Sequence, residues 1–232
     1  MAQSKGRVFA VFGLGSFGRT MAAVLAKRGG TVIAIDNKAE SVDAIKNKVS
    51  TALLIDSTDE RAMAKAPLED VDTAVIAIEE MEANIITSVL VKDRGIPYII
   101  GRAMSPIHAQ VLRKIGINEV INLQEDEGTR IAQRLITPEI RETVPLTGDT
   151  SMTEFYVPEL FVGKTVQSLS LRDKFTLHLA GIKHTDVSID SEGNPVRTER
   201  LLFPDTEEPL AAGDILILVG KNYDIEQFKE SV

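Results

Sequence analysis

Three glycines, Gly13, Gly15 and Gly18 in "GLGSFG", stand between an apolar run and an alanine-rich stretch. Glycine at the first position suits a tight turn off a strand. At the second it lets backbone approach a pyrophosphate, and at the third it permits close helix-to-strand packing. A helix that follows such a loop points its unpaired N–H groups at a bound anion. Gly13, Leu14, Gly15, Ser16, Phe17 and Gly18 are therefore the expected phosphate cradle. Asp36 lies eighteen positions after Gly18, at the end of the second apolar run. Its carboxylate can accept hydrogen bonds from ribose hydroxyls and would repel a 2′-phosphate, which disfavours NADP. Asn37 and Lys38 join it in the expected contact set.

Open parallel sheets bind ligands at the carboxyl ends of their strands, and three further groups fall there. After the third apolar run, Asp56, Ser57 and Thr58 can contact the base, with Ser57 or Thr58 equally able to cap the next helix. After the fourth, Ala77, Ile78 and Glu79 would lie against the phosphate loop. After the fifth, Arg102 can reach a phosphate or pair with a neighbouring carboxylate.

No catalytic residue is expected beside this seat. A dehydrogenase needs a proton donor or acceptor near the nicotinamide. His108 falls on an expected helix and reads as a surface residue. His178 and His184 lie six apart on one expected strand, so they would face the same side, with no third metal ligand at useful spacing. No Tyr-x-x-x-Lys pair is present, nor a Ser or Lys in a nucleophile setting. In "QEDEG" (124–128) the acids favour a helix N-terminus, and Glu125 is the candidate for holding a divalent cation against phosphate. The competing reading, an NAD-dependent oxidoreductase with a non-standard active site, has only the nucleotide fold behind it.

The elements that must position these residues follow from hydrophobic pattern. "RVFAVF" (7–12), "TVIAID" (31–36), "TALLID" (51–56), "DTAVIAI" (72–78), "PYIIG" (97–101) and "EVINL" (119–123) read as six strands covered on both faces. Helical patterns alternate with them, which predicts a Rossmann-like, doubly wound α/β parallel sheet over residues 1–138. The polar stretch 139–150 reads as a linker. Beyond it, "MTEFYVP", "TLHLAGIKH" and "DILILVG" read as strands, "GKTVQSLSL" as a short helix, and "DSEGNP" and "FPDTEEP" as turns. A terminal helix capped by Asn222 completes a smaller α+β domain over 151–232.

The 232 residues contain no cysteine, so disulfides and thiolate chemistry are excluded. No apolar stretch approaches the roughly 20 residues a bilayer requires, and no signal-peptide pattern leads the chain. A cytoplasmic protein without direct membrane insertion is expected. Residues 1–138 balance 17 basic against 17 acidic side chains, whereas 139–232 hold 9 against 17. A neutral half joined to an acidic half argues against nucleic-acid binding.

The same residues, taken in order, resemble the Trk/Ktr regulatory subunits of bacterial potassium uptake systems, also called RCK or KTN proteins. "FAVFGLGSFGRTMAAVLAKRGGTVIAID", "LIDSTDE", "VDTAVIAIEE", "IIGRA" and "VLRKIGINEVI" are similar to landmarks of that family's N-terminal domain. "GKTVQSLSLRDKFTLHLAGIKH" and "LAAGDILILVGKNYDIEQF" are similar to its C-terminal module, TrkA-C. The resemblance implies a nucleotide-sensing gating subunit that binds ATP, ADP or NAD(H) and does not turn it over. It implies a homodimer, assembled into a tetramer or octameric ring at the inner face of the plasma membrane. There it would dock beneath an integral-membrane potassium-translocating subunit. On this chain the resemblance assigns phosphates to the three glycines, ribose to Asp36 and adenosine to Asp56 and Thr58. Arg102 would contact phosphate, including that of an adjoining protomer. A divalent cation, and cyclic di-AMP between paired C-terminal domains, belong to some relatives. Several ATP-sensing relatives have Arg where this chain has Ser16, and the family's cation-binding glutamate aligns with Gln124, one residue before Glu125.

Overall fold

Alternating small and branched residues in the first half leave each strand apolar on both faces, and a computed structural model shows both faces covered. It describes residues 6–189, 194–204 and 207–232, which divide into two units, Met1–Gly128 and Thr129–Val232. In the first unit, Val8–Phe12 (β1), Thr31–Asp36 (β2), Thr51–Leu54 (β3), Thr73–Ile76 (β4), Tyr98–Arg102 (β5) and Glu119–Ile121 (β6) form one sheet. Their order is β3-β2-β1-β4-β5-β6, and every pairing is parallel. Ala10, Phe12, Ile33, Ile35, Ala74 and Ile76 enter one core layer, while their chain neighbours Val11, Val32, Ala34 and Val75 enter the other. That strict period of two is the signature of strands sandwiched between helices.

The crossovers are Ser16–Lys27 (α1), Ala39–Ile45 (α2), Glu60–Ala64 (α3), Met81–Asp93 (α4) and Pro106–Ile115 (α5), followed by Leu123–Ile136 (α6). Local chemistry sets their starts. Asp59 caps α3, accepting from the amides of Arg61 and Ala62; neither Ser57 nor Thr58 does so, correcting the sequence reading. Glu80 caps α4 and Ser105 caps α5, with Pro106 at the first helical position, where its missing N–H costs nothing.

In the second unit, Ile140–Pro145 (β7), Thr150–Tyr156 (β8), His178–Ile189 (β9), Pro195–Leu202 (β10) and Ile215–Lys221 (β11) pair antiparallel in the order β10-β9-β11-β8-β7. Val166–Leu169 (α7), Leu171–Phe175 (α8) and Asn222–Glu230 (α9) accompany the sheet. Phe228 of α9 meets the rings of Phe155, Phe161 and Phe175 at centroid distances of 5.0, 6.0 and 5.2 Å.

Several expectations are corrected here. The expected linker contains β7, an edge strand whose exposed polar side chains mimic a loop. β10 was not anticipated for the same reason. The single helix expected near 163–171 is two, broken at Ser170, which takes φ 50°. Asn222 does not cap α9: Lys221 holds that position without a side-chain bond, and Asn222 Oδ1 instead accepts from the Ser151 hydroxyl at 2.8 Å. Residues 190–193 of the expected "DSEGNP" turn, and Asp205 and Thr206 of "FPDTEEP", lie outside the described residues.

The two histidines of β9 are a further correction. The β9–β11 register slips between Ile217 and Leu218, so that β9 carries one extra residue opposite them. Leu177 and Leu179 before the irregularity and Ile182 after it all join the same core. A bulge of this kind exchanges the faces of the residues beyond it. His178 therefore shares a face with Ala180, away from the core, and His184 shares one with Ile182.

Candidate functional site

The carboxyl ends of β1 and β4 meet where the strand order reverses, the point at which doubly wound sheets open a crevice. Gly13 leaves β1 at φ +86°, its amide bonded to the Ile35 carbonyl at 2.9 Å. A Cβ there would press on the Ile78 backbone at 2.9 Å, so the turn demands glycine in both conformation and space. A Cβ on Gly18 would collide with the Gly13 carbonyl oxygen, because α1 packs directly on the loop. At Gly15 the nearest atom to a Cβ would be Glu79 Oε1 at 3.9 Å, leaving the middle of the loop open. Gly15 caps α1 with no side-chain hydrogen bond, and the first turn carries no acid. The positive end of α1 thus keeps its field for an incoming anion.

Asp36 organises this loop. Its Oδ2 accepts from the Leu14 amide at 2.6 Å and its Oδ1 from the Lys38 amide at 2.8 Å. A carboxylate has roughly four acceptor sites, so both oxygens can still take a hydroxyl. Leu14 itself is wholly buried, which clamps the loop to the core while its amide points at the acid.

At the end of β3, Asp56 Oδ1 accepts from the amide and hydroxyl of Thr58 at 2.9 and 2.6 Å. The Thr58 hydroxyl first, and its amide second, hold the Asp56 carboxyl below the usual carboxylate range. Ser57 turns inward instead, its hydroxyl 2.8 Å from that of Thr87 on α4. At the end of β4, Glu79 Oε1 accepts from Arg102 Nη1 at 2.9 Å. Arg102 is only 6% exposed, stands 5.8 Å over the Phe17 ring, and leaves its Nε without a partner. Asn84 of α4 ties the strand ends together, donating to the carbonyls of Ile78 and Arg102.

These groups enclose a cleft of about 450 Å³, large enough for a nucleotide. Of the residues expected from sequence, Gly13, Gly15, Asp36, Asn37, Lys38, Asp56, Ser57, Thr58, Ala77, Ile78 and Glu79 line it. Leu14, Ser16, Phe17, Gly18 and Arg102 are not among its lining residues. Sequence reasoning missed Ile35, Ser41, Glu80 and Ala83. Ser41 and Ala83 lie three residues past Lys38 and Glu80, and the helical period could have found them.

Two other expectations fare differently. His108 is not a surface residue: it is fully buried, its Nδ1 accepting from the Met104 amide at 3.3 Å and its Nε2 unpartnered. Burial pushes its imidazole below its ordinary value, favouring the neutral form. Glu125 spends an oxygen on Asn122 Nδ2 at 2.8 Å, and its amide faces Asn122 Oδ1 at 3.4 Å, closing a helix-start box. Among the described residues no three His, Cys, Asp or Glu side chains converge on a possible metal position.

Comparison with known proteins adds the following. A TrkA-N domain model matches residues 9–123 and a TrkA-C domain model residues 152–232. The chain is 31% identical over 213 residues to Ktr system potassium uptake protein A of Vibrio alginolyticus, covering 91% of each chain. It is 29% identical over 225 residues to Ktr system potassium uptake protein C of Bacillus subtilis (strain 168), covering 97% of this chain and 96% of that one. Among solved structures, the GsuK RCK domain superposes with a TM-score of 0.65 at 18% identity, over 99% of this chain and 48% of that one. A GsuK channel bound to NAD superposes with a TM-score of 0.63 at 18% identity, over 97% of this chain and 39% of that one. This chain thus spans less than half the length of those two, and the likeness is one of fold.

Proposed function

The chain belongs to the family of Ktr and Trk potassium uptake proteins, and from that premise we propose that it is a nucleotide-sensing regulatory subunit of a potassium uptake system. The observation that carries the proposal is the pairing of TrkA-N and TrkA-C domains in a chain that aligns over nearly its whole length with relatives named for potassium uptake. The open glycine loop beneath the uncapped end of α1 supports an adenine nucleotide as the signal. NAD in a channel of the same fold supports the same class of ligand.

Among the described residues no helix is long and apolar enough to cross a membrane. In the proposal the ion path belongs to an integral-membrane partner, on which this chain acts from the cytoplasmic side as a homo-oligomer. Absence of turnover is part of the proposal. The cleft is lined by glycine, aliphatic, hydroxyl and amide groups, four carboxylates and one lysine, while His108 is buried and its Nδ1 is taken by Met104. Signalling then requires that ligands bind different conformations with different affinity, since one that binds all equally shifts nothing.

Calorimetry with ATP, ADP, NAD and NADH tests the seat. Asp36→Ala removes both the Leu14 tether and the ribose acceptor, and the expected loss is about tenfold or more in affinity, from one or two hydrogen bonds to a charged group. Unchanged affinity would remove Asp36 from the site. Scattering of the oligomer with and without nucleotide tests the signal, a change in profile being expected.

A further inference from the structure

We infer that Glu79 is the residue by which this cleft discriminates among nucleotides, favouring a dinucleotide whose pyrophosphate is esterified at both ends over a nucleoside triphosphate. The inference rests on the nucleotide-binding reading above and names the ligand class of that same site. Arg102, for which the sequence left open a phosphate or a neighbouring carboxylate, takes the carboxylate of Glu79, is buried against Phe17 and does not line the cleft. What the cleft meets instead is the carboxylate that Arg102 holds. Glu79 is 62% exposed in its side chain and lines the cleft, its Oε1 being the atom nearest to a Cβ on Gly15.

The salt bridge makes this carboxylate a fixed feature. Its partner guanidinium is anchored by burial, so Glu79 cannot leave the loop without stranding a buried cation. Around it, Asp36, Asp56 and Glu80 also line the cleft, against Lys38 as the one cation among the described lining residues. Asp56 and Glu80 are both held below the usual carboxylate range, Asp56 by Thr58 and Glu80 by the amides of Ala83 and Glu82. The walls therefore stay negative at neutral pH, and a cleft focuses the field of its walls. The end of α1 can offset the charge of a pyrophosphate. A terminal phosphate adds charge with no cation in the lining besides Lys38 to receive it, whereas a second riboside adds none.

The test is calorimetry on the full chain with NAD and ATP, both in EDTA, for the wild type, Glu79→Gln and Glu82→Gln. In Glu79→Gln the new amide oxygen can still accept from Arg102, so the variant removes charge and keeps the anchor. The wild type should bind NAD more tightly than ATP. Glu79→Gln should raise the affinity for ATP relative to that for NAD about fivefold, the effect of one charge some 4 Å away under water-like screening. Glu82→Gln, at an exposed acid of α4 that does not line the cleft, should leave the ratio of the two affinities where it was. A wild-type preference for ATP, an unaltered ratio in Glu79→Gln, or an equal shift in both variants would overturn the inference while leaving the nucleotide seat intact. Binding of neither nucleotide by the wild type would overturn the seat, and the inference with it.

Discussion

Asp36 and His108 show what a single residue does and does not reveal in sequence. The place of Asp36 was legible, because an acid ending the second strand faces the loop after the first. Its grip on the Leu14 amide was not legible, since it depends on the curl of a loop whose geometry Gly13 alone permits. His108 was misread because a polar residue on an amphipathic helix is ordinarily outward, and only the fold shows it shut inside with Nδ1 taken by Met104. A pH dependence follows. Below about pH 6.5 the unfolded chain protonates this imidazole, whereas the folded chain, with its pKa lowered by burial, resists doing so. The stability contribution is complete above that pH and is lost as pH falls toward the lowered folded value. His108→Asn can keep an acceptor for Met104 and cannot titrate. Thermal midpoints of the two proteins between pH 7.5 and 5 should diverge, the wild type falling more steeply; parallel curves would show that His108 does not carry this dependence.

Among the elements, the strands of the first unit were legible because burial on both faces writes a continuous apolar run, as in "TVIAID". Strands β7 and β10 were not, because an edge strand needs apolar residues on one face only and is protected by charge on the other. Arg141 of β7 and Glu199 and Arg200 of β10 are charges of that kind, and they are also the pairing residues of the sheet. Glu154 on β8 is nearly buried and meets Lys183 of β9 directly, with Arg141 Nε 3.8 Å away. Arg141 Nη1 also reaches Glu199, and Arg200 pairs with Asp186 and Glu208. Removing one member of a buried pair leaves the other uncompensated, while replacing both with apolar side chains is far less costly. Glu154→Leu should cost about 2 kcal/mol, below the usual range for buried pairs because Lys183 is partly solvated. The double variant Glu154→Leu, Lys183→Met should recover most of that loss. Hydrogen exchange of the β8, β9 and β11 amides measures both, and a double variant no more protected than the single one would show that the pair contributes no coupling.

For the molecule as a whole, both domains were legible in order, because each writes its own grammar of apolar runs and turns. What one chain cannot display is what covers α6. This helix has no buried residue, although Ile131, Leu135 and Ile136 are exposed by 38, 74 and 82%. A helix that keeps such side chains in water forgoes burial worth roughly 1.5–3 kcal/mol for each, and exposed apolar clusters of this kind mark association surfaces. A second copy of the chain is the occupant that the proposed homo-oligomer supplies, since a twofold contact lays the same apolar residues against themselves. Such an interface would also give the sensor its means of signalling, because nucleotide affinity and association must then influence each other reciprocally. Leu135→Glu with Ile136→Glu places two carboxylates on that surface without touching a core residue of either unit. The pair should lower the mass found by light scattering toward that of smaller assemblies, while leaving the circular dichroism spectrum and the nucleotide stoichiometry per chain unchanged. An assembly of undiminished mass would mean that the copies meet through some other face, and that the apolar side of α6 is reserved for a different partner.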